Sequence, residues 1–151
     1  MKTVLFAFLI SSSAMASNCF IRTTELETKE VNLAREICIT NIDVQLDVFG
    51  GSKANLTYNK DGVETTRTVS LNRTVSTSAD RVTALIPSLD SDSEGGGCGY
   101  LTRASADAVL EIKRDGSSAR ITSIEGKVTE TSDNCHSNEK VVQVIEYFEN
   151  R

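Results

Sequence analysis

Three acidic side chains at alternate positions form the most distinctive chemical pattern in the chain. The stretch reads Asp90-Ser91-Asp92-Ser93-Glu94-Gly95, so three carboxylates precede a glycine, as in the first half of an oxygen-rich calcium loop. The twelfth position of such a loop carries a glutamate, whereas this chain has Leu101 there. Asp90, Asp92 and Glu94 are therefore candidate calcium ligands. The alternative is a solvated surface loop over residues 90–99, whose acidity and glycines resist burial.

Four cysteines, Cys19, Cys38, Cys98 and Cys135, form the second group of residues with chemical potential. In an exported chain, an even number of cysteines predicts disulfides. Of the three pairings, we expect Cys19–Cys38 and Cys98–Cys135, because sequential pairs join neighbours along a meander without crossing it. A structural zinc site is the alternative. Against it, the sequence has no C-x-x-C motif and a single histidine, His136.

The familiar catalytic constellations are missing from the sequence. His136 is the only histidine that can act as base for a serine or cysteine nucleophile, and it lies in a polar stretch beside Cys135. No serine lies in a G-x-S-x-G motif, and Gly95-Gly96-Gly97 lacks the lysine and hydroxyl residue of a phosphate-binding loop. The sequence does not exclude a catalytic pair of carboxylates for glycoside hydrolysis, because two such residues come together only in the folded chain.

The first sixteen residues have the pattern of a secretory signal peptide. Met1-Lys2 is a basic start, Val4–Ile10 is apolar throughout, and Ala14-Met15-Ala16 fits the small-x-small cleavage rule. The apolar run is too short to span a bilayer, so we expect no insertion into a membrane. The sequence therefore predicts a signal peptide at 1–16 and a single secreted or periplasmic β domain at 17–151.

The composition excludes one class of partner. The formal net charge is −5 and no run of lysine and arginine is present, so the chain has no electrostatic footprint for nucleic acid. Aromatic residues make up 5% of the chain, which leaves few surfaces on which bases or sugars stack. Apart from calcium, no cofactor is predicted.

Period-two alternation of apolar and polar residues predicts strands over most of the chain. Ile42–Phe49 is the clearest example, and Lys60-Asp61-Gly62 predicts a hairpin turn after the next strand. A change of phase at Thr40-Asn41 predicts a bulge. Apolar residues also alternate near residues 25–35, which favours a strand over a helix there.

Two features of the second half concern the edges and the centre of the sheet. Pro87, the only proline, predicts that the strand at 81–86 ends there or lies at an edge. Val141–Phe148 is apolar at both sets of alternate positions, which predicts a strand that is central or covered on both faces. About eight strands separated by turns indicate an all-β domain. We expect a single antiparallel β-sandwich or small β-barrel, stapled by disulfides.

Two functions of different class agree with these patterns. The first is a secreted or periplasmic, non-enzymatic binding or inhibitory module that presents loops to a macromolecular partner. Small, disulfide-closed exported β domains without a catalytic constellation are typical of that class. The second is a small exported hydrolase that uses a carboxylate pair. Facing carboxylates in a concave pocket favour the hydrolase, whereas flat or convex loops favour binding.

We expect the mature protein to begin at Ser17, because the cleavage pattern ends at Ala16. Intact-mass analysis of the protein recovered from the exported fraction measures this terminus directly. A chain that retains Met1 would contradict the prediction.

Overall fold

The computed structural model describes residues 18–45, 51–71, 74–95, 100–131 and 139–150. These residues form nine strands: β1 Asn18–Arg22, β2 Glu36–Gln45, β3 Lys53–Lys60, β4 Val63–Ser70, β5 Thr74–Thr77, β6 Arg81–Gly95, β7 Leu101–Lys113, β8 Ala119–Thr131 and β9 Glu139–Asn150. The predicted all-β class is confirmed. Accordingly, the described residues include no helix that is long and apolar enough to span a membrane.

The nine strands belong to one antiparallel sheet in the order β4-β3-β2-β1-β9-β8-β7-β6-β5. Strands β4 and β5 follow one another in the chain, yet they form the two opposite edges. Ser70 ends β4 and Thr74 begins β5, so these two residues lie within about 14 Å of each other. A flat sheet of this size would hold its edges about 38 Å apart. The sheet therefore curls into a half-barrel.

Side chains bridge the two halves of the curled sheet across its interior. Lys60 on β3 forms an ion pair with Asp90 on β6, with 2.8 Å between Nζ and Oδ1. The Arg67 guanidinium on β4 donates a hydrogen bond to the carbonyl of Ser88 on β6. Strands β3 and β4 are thus held to β6 by side chains and not by a backbone ladder.

The inner face of the half-barrel carries the hydrophobic core. On β7, alternate residues are all buried because alternate side chains of a strand point to one face: Thr102, Ala104, Ala106, Ala108, Leu110 and Ile112. The largest buried side chains elsewhere include Phe20, Leu33, Ile37, Leu56, Tyr58, Ile86, Ile121, Ile124 and Ile145. Removal of this apolar surface from water stabilises the curl.

Two local predictions about the first meander are confirmed. The β2–β3 register shifts between Ile39 and Asn41, where the change of phase predicted a bulge. Asp61 and Gly62 connect β3 to β4 with φ values of 46° and 89°, the left-handed conformation that a primed two-residue turn requires. Gln45 is the last described residue of the predicted strand at 42–49.

The strand predicted over residues 25–35 is not formed. Residues 23–35, which we call the crossing segment, contain bends and no strand, and β2 begins only at Glu36. Val31 and Leu33 are nevertheless buried, at 3% and 1% exposure. The alternation that suggested a strand therefore reflects burial without sheet pairing.

Strand β6 continues through the only proline. The sequence predicted that this strand ends at Pro87 or lies at an edge, and β6 runs on to Gly95. The ladder with β5 covers only residues 82–84 of β6, so Pro87 lies where β7 is the only neighbouring strand among the described residues. A proline is tolerated there because no donor is needed on the open side. Strand β6 is therefore next to the edge strand β5 and does not end at Pro87, so neither predicted alternative holds for the strand as a whole; only the part of β6 beyond β5 is open on one side.

The disulfide between Cys19 and Cys38 is present as predicted. The two residues are direct cross-strand partners on β1 and β2, with Cα atoms 3.9 Å apart. This bridge ties the first strand of the sheet to the second. Cys98 and Cys135 lie outside the described residues, so the second bridge stays a prediction.

We expect that second bridge to join Cys98 to Cys135. Gly95 pairs with Leu101, and Leu101 pairs with Thr131, so the two connections that carry the cysteines start at the same end of the sheet. Peptide mapping without reduction should recover one peptide that contains both residues. Free thiols at both positions in exported protein would contradict the pairing.

Candidate functional site

The three candidate calcium ligands lie on a strand. Asp90, Asp92 and Glu94 belong to the second half of β6 and pair with β7, where the sequence suggested a loop. Their alternate spacing in a strand places all three on one face. Asp90 is only 7% exposed, whereas Asp92 and Glu94 are exposed. The row of carboxylates therefore leads from the interior to the surface.

Asp90 joins three parts of the fold through one carboxylate. Its Oδ1 accepts a hydrogen bond from Lys60 Nζ on β3, and its Oδ2 accepts one from the backbone N–H of Ala34 in the crossing segment, both at 2.8 Å. The hydrogen bond with Asp90 raises the pKa of Lys60, so the lysine stays charged. Charge-assisted hydrogen bonds are about twice as strong as neutral ones. Asp90 thereby fixes the crossing segment and β3 to β6.

Two further carboxylates bind the backbone of the crossing segment and the residue after it. Asp92 Oδ2 accepts a hydrogen bond from the N–H of Asn32 at 2.9 Å. Asp61 Oδ1 accepts hydrogen bonds from the N–H groups of Arg35 at 2.9 Å and Glu36 at 2.8 Å. Backbone donors need such partners where no strand lies beside them. Side chains thus replace the ladder, which explains why the predicted strand is not formed.

The earlier part of the crossing segment is held by β9 and β7. Gln143 on β9 donates from Nε2 to the Glu25 carbonyl at 2.7 Å, and its Oε1 accepts a hydrogen bond from the Glu27 N–H at 3.2 Å. Thr102 on β7, which is fully buried, donates to the Glu30 carboxylate at 2.9 Å. The segment therefore crosses the half-barrel from β9 to β3 and is fixed at each strand it meets.

Two buried tyrosines complete the polar contacts of the interior. Tyr58 donates to the Leu89 carbonyl and Tyr147 donates to the Ala34 carbonyl, each at 3.0 Å. Burial raises the pKa of both phenols, so each stays protonated at neutral pH. These phenols act as hydrogen-bond donors in the interior and not as general bases.

Calcium at Asp90, Asp92 and Glu94 must compete with these internal contacts, since a cation at Asp90 has to displace Lys60. Among the described residues, one group of metal-ligating side chains has its ligand atoms close together: Cys19, Glu36 and Cys38. Its two cysteines form the disulfide. The calcium site stays a prediction. A rise in melting temperature with millimolar Ca²⁺, abolished by Asp90→Asn with Asp92→Asn, would support it.

The outer face of the sheet carries exposed apolar side chains on its central strands. β9 lies between β1 and β8 and buries Ile145 and Tyr147. We call the exposed apolar residues of β9 and β1 the apolar strip: Ile21 (38% exposed), Val141 (51%), Val142 (40%), Val144 (62%) and Phe148 (58%). The predicted central position of this strand is confirmed. Of the two predicted alternatives, cover on both faces does not apply, because the strip is open to solvent.

Beside the strip, a local groove indents the outer face. A groove of about 340 Å³, which we call the outer groove, crosses the sheet from β6 to β9. Its apolar lining comes from Leu85, Val109, Val141 and Val144, and its charged lining comes from Asp107, Glu125 and Lys127. Two residues of the apolar strip line the groove. Strip and groove therefore form one continuous surface.

Three carboxylates lie side by side across β7, β8 and β9, and we call them the acidic row. Asp107 is the cross-strand partner of Glu125, and Glu125 is the partner of Glu146, so neighbouring Cβ atoms are about 5 Å apart. Asp107 accepts a hydrogen bond from the Ser88 N–H at 2.7 Å. None of the three forms an ion pair with another described residue. Like charges directly opposite one another destabilise a sheet.

Comparison with known proteins adds neither a family nor a function. No family model, curated protein or solved structure matches the chain. Function is therefore argued from the groove, the strip and the acidic row themselves.

The outer groove and the acidic row are not visible in the sequence. Asp107, Glu125 and Glu146 are far apart in the chain, and only the strand register brings them together. The apolar strip does leave a signal, since Val141–Phe148 is apolar at both sets of alternate positions. An exposed binding face explains that pattern as well as a covered one does.

We expect Asp90→Ala to lower the free energy of unfolding by about 2–4 kcal/mol, because the Ala34 N–H and the Lys60 ammonium lose their partner. Glu94→Ala changes an exposed carboxylate on the same face of the same strand and serves as the control. Its effect should stay within about 0.5 kcal/mol. Urea unfolding measures both variants. Equal effects of the two substitutions would contradict the anchoring role of Asp90.

Proposed function

We propose that this chain is an exported, non-enzymatic binding module that holds a macromolecular partner on the surface formed by the apolar strip and the outer groove. The observation that carries the proposal is the exposure of the strip. Five large apolar side chains of two neighbouring strands are between 38% and 62% exposed. Large apolar side chains that are exposed together on one face mark interaction surfaces in folded domains.

The position of the strip supports binding by a preformed surface. The inner face of the same strands is filled by the core and by the crossing segment, so the outer face is free for a partner. Strand β9 is paired on both sides, with β1 and β8. A partner that docks there orders little of the module, and binding loses less conformational entropy than it would on a mobile loop. The proposed contact is therefore a sheet face, in place of the loops expected from the sequence.

Export of the module rests on two features. The Cys19–Cys38 disulfide is of the kind that persists in oxidising compartments. Residues 1–16 carry the signal pattern. The proposed location is therefore the periplasm or the extracellular medium, where the partner is also expected.

A second candidate function is favoured by one specific observation. Asp107 and Glu125 are neighbouring carboxylates in a groove, which meets the condition set for a carboxylate-pair hydrolase. Glycoside cleavage needs one carboxyl group as acid and another as base or nucleophile. Release of reducing ends from polysaccharides, lost in Asp107→Asn and in Glu125→Gln, would establish this activity in place of simple binding.

We expect Val144→Asp to abolish retention of the native partner, because a charge on the strip opposes burial of the surrounding apolar surface. Val63→Asp is the matched control, since Val63 lies on edge strand β4 and is 65% exposed, against 62% for Val144. Immobilised wild-type and variant proteins are compared for what they retain from the exported fraction. Loss of retention in both variants, or in neither, would contradict the proposal.

A further inference from the structure

The outer groove combines apolar walls with an unbalanced charge. Leu85 and Val109 line it on the β6–β7 side, and Val141 and Val144 line it on the β9 side. An occupant must therefore offer apolar side chains to both walls, because burial of apolar surface supplies most of the free energy of association. The groove spans three inter-strand spacings, about 14 Å. About four residues of an extended peptide cover that distance.

The charge of the groove decides what lies between those apolar side chains. Asp107 and Glu125 both line the groove, and Glu146 extends the acidic row onto β9. Lys127 is the one cation among the lining residues, and it forms no ion pair with another described residue. One lysine against three carboxylates leaves the surface negative. A cationic occupant relieves the repulsion within the row, whereas a neutral or acidic occupant does not.

We infer that the outer groove binds an extended segment of a partner protein that presents an arginine between apolar side chains. This inference rests on the proposed function and names its partner. The carboxylates of Asp107 and Glu125 project from adjacent strands whose Cβ atoms are about 5 Å apart. A planar guanidinium has five N–H donors in a fixed fork and can donate to two carboxylates at once. A lysine ammonium carries its three donors on one atom and lacks this planar fork.

The test uses the purified, oxidised protein and two synthetic probes. The first probe is a fluorescein-labelled peptide of sequence Val-Arg-Leu-Arg-Val, and the second replaces both arginines with citrulline, which keeps the shape and removes the charge. Fluorescence anisotropy at low ionic strength measures the affinity of each. We expect the arginine peptide to bind at least about tenfold more tightly, since charge-assisted hydrogen bonds are lost in the citrulline peptide.

Variants locate the binding on the groove. Glu125→Gln and Asp107→Asn should each weaken binding of the arginine peptide by about tenfold, while both retain a hydrogen-bonding side chain of the same size. Glu64→Gln, an exposed residue of edge strand β4, is the matched control and should leave the affinity unchanged. Circular dichroism confirms that each variant keeps the wild-type fold.

Three results would overturn the inference. Equal affinity for the two peptides would show that the arginine charge is not recognised. An equal effect of Glu64→Gln would show that binding is general electrostatic attraction and not specific to the groove. A dimer of the module that dissociates on Val144→Asp would assign the surface to a second copy of the chain. If Val144→Asp still abolishes retention of the native partner while the two probes bind equally, the binding function stands and only its arginine chemistry is wrong.

Discussion

The contact on which the rest of the structure depends is the buried carboxylate of Asp90. A curled sheet that is open at its edges, with β4 on one side and β5 on the other, has no backbone ladder to hold the curl. Asp90 supplies a substitute, because it binds Lys60 from β3 and the Ala34 N–H from the crossing segment at the same time. Removal of the Asp90 carboxylate leaves the Lys60 ammonium and the Ala34 N–H without this acceptor.

Because Asp90 anchors the crossing segment on the inner face, the two faces of the sheet have different roles. The inner face holds the core and the crossing segment, and Asp90, Thr102 and Tyr147 bind that segment. The acids at positions 90 and 92 therefore act as structural acceptors. The outer face of β9 and its neighbours holds the exposed apolar strip beside carboxylates that have no ion-pair partner among the described residues. Chemistry directed at other molecules is expected on that face.

The sequence predicts much of the backbone and little of the site. Strand alternation, the Asp61-Gly62 turn, the bulge near Thr40 and the Cys19–Cys38 bridge all depend on short-range patterns, and each agrees with the structure. The strand prediction for the crossing segment is wrong. Val31 and Leu33 alternate as they would in a strand, but side chains from distant strands bind the segment's backbone in place of a neighbouring strand. Alternation reports burial and does not report which group satisfies the backbone.

The contacts of the acidic residues also could not be predicted from the sequence. The alternate spacing of Asp90, Asp92 and Glu94 fits a calcium loop and a strand equally well. The sequence does not show that Asp90 accepts hydrogen bonds from Lys60 and from the Ala34 N–H, which only the fold brings to it. The acidic row depends on a register between strands that no local pattern fixes. Functional side chains that converge from several strands are therefore found only once the pairing of those strands is known.

The most direct measurement is amide hydrogen exchange, followed by NMR, at Ala34 and Arg35 in the crossing segment. If side-chain carboxylates hold this segment inside the half-barrel, these amides exchange as slowly as that of Leu110 in the core of β7, although they lie outside any strand. Exchange at the rate of unprotected amides, with Leu110 still protected, would show that the segment is not anchored. The inner face would then be accessible to a partner, and the proposal that the outer face is the binding surface would lose this support.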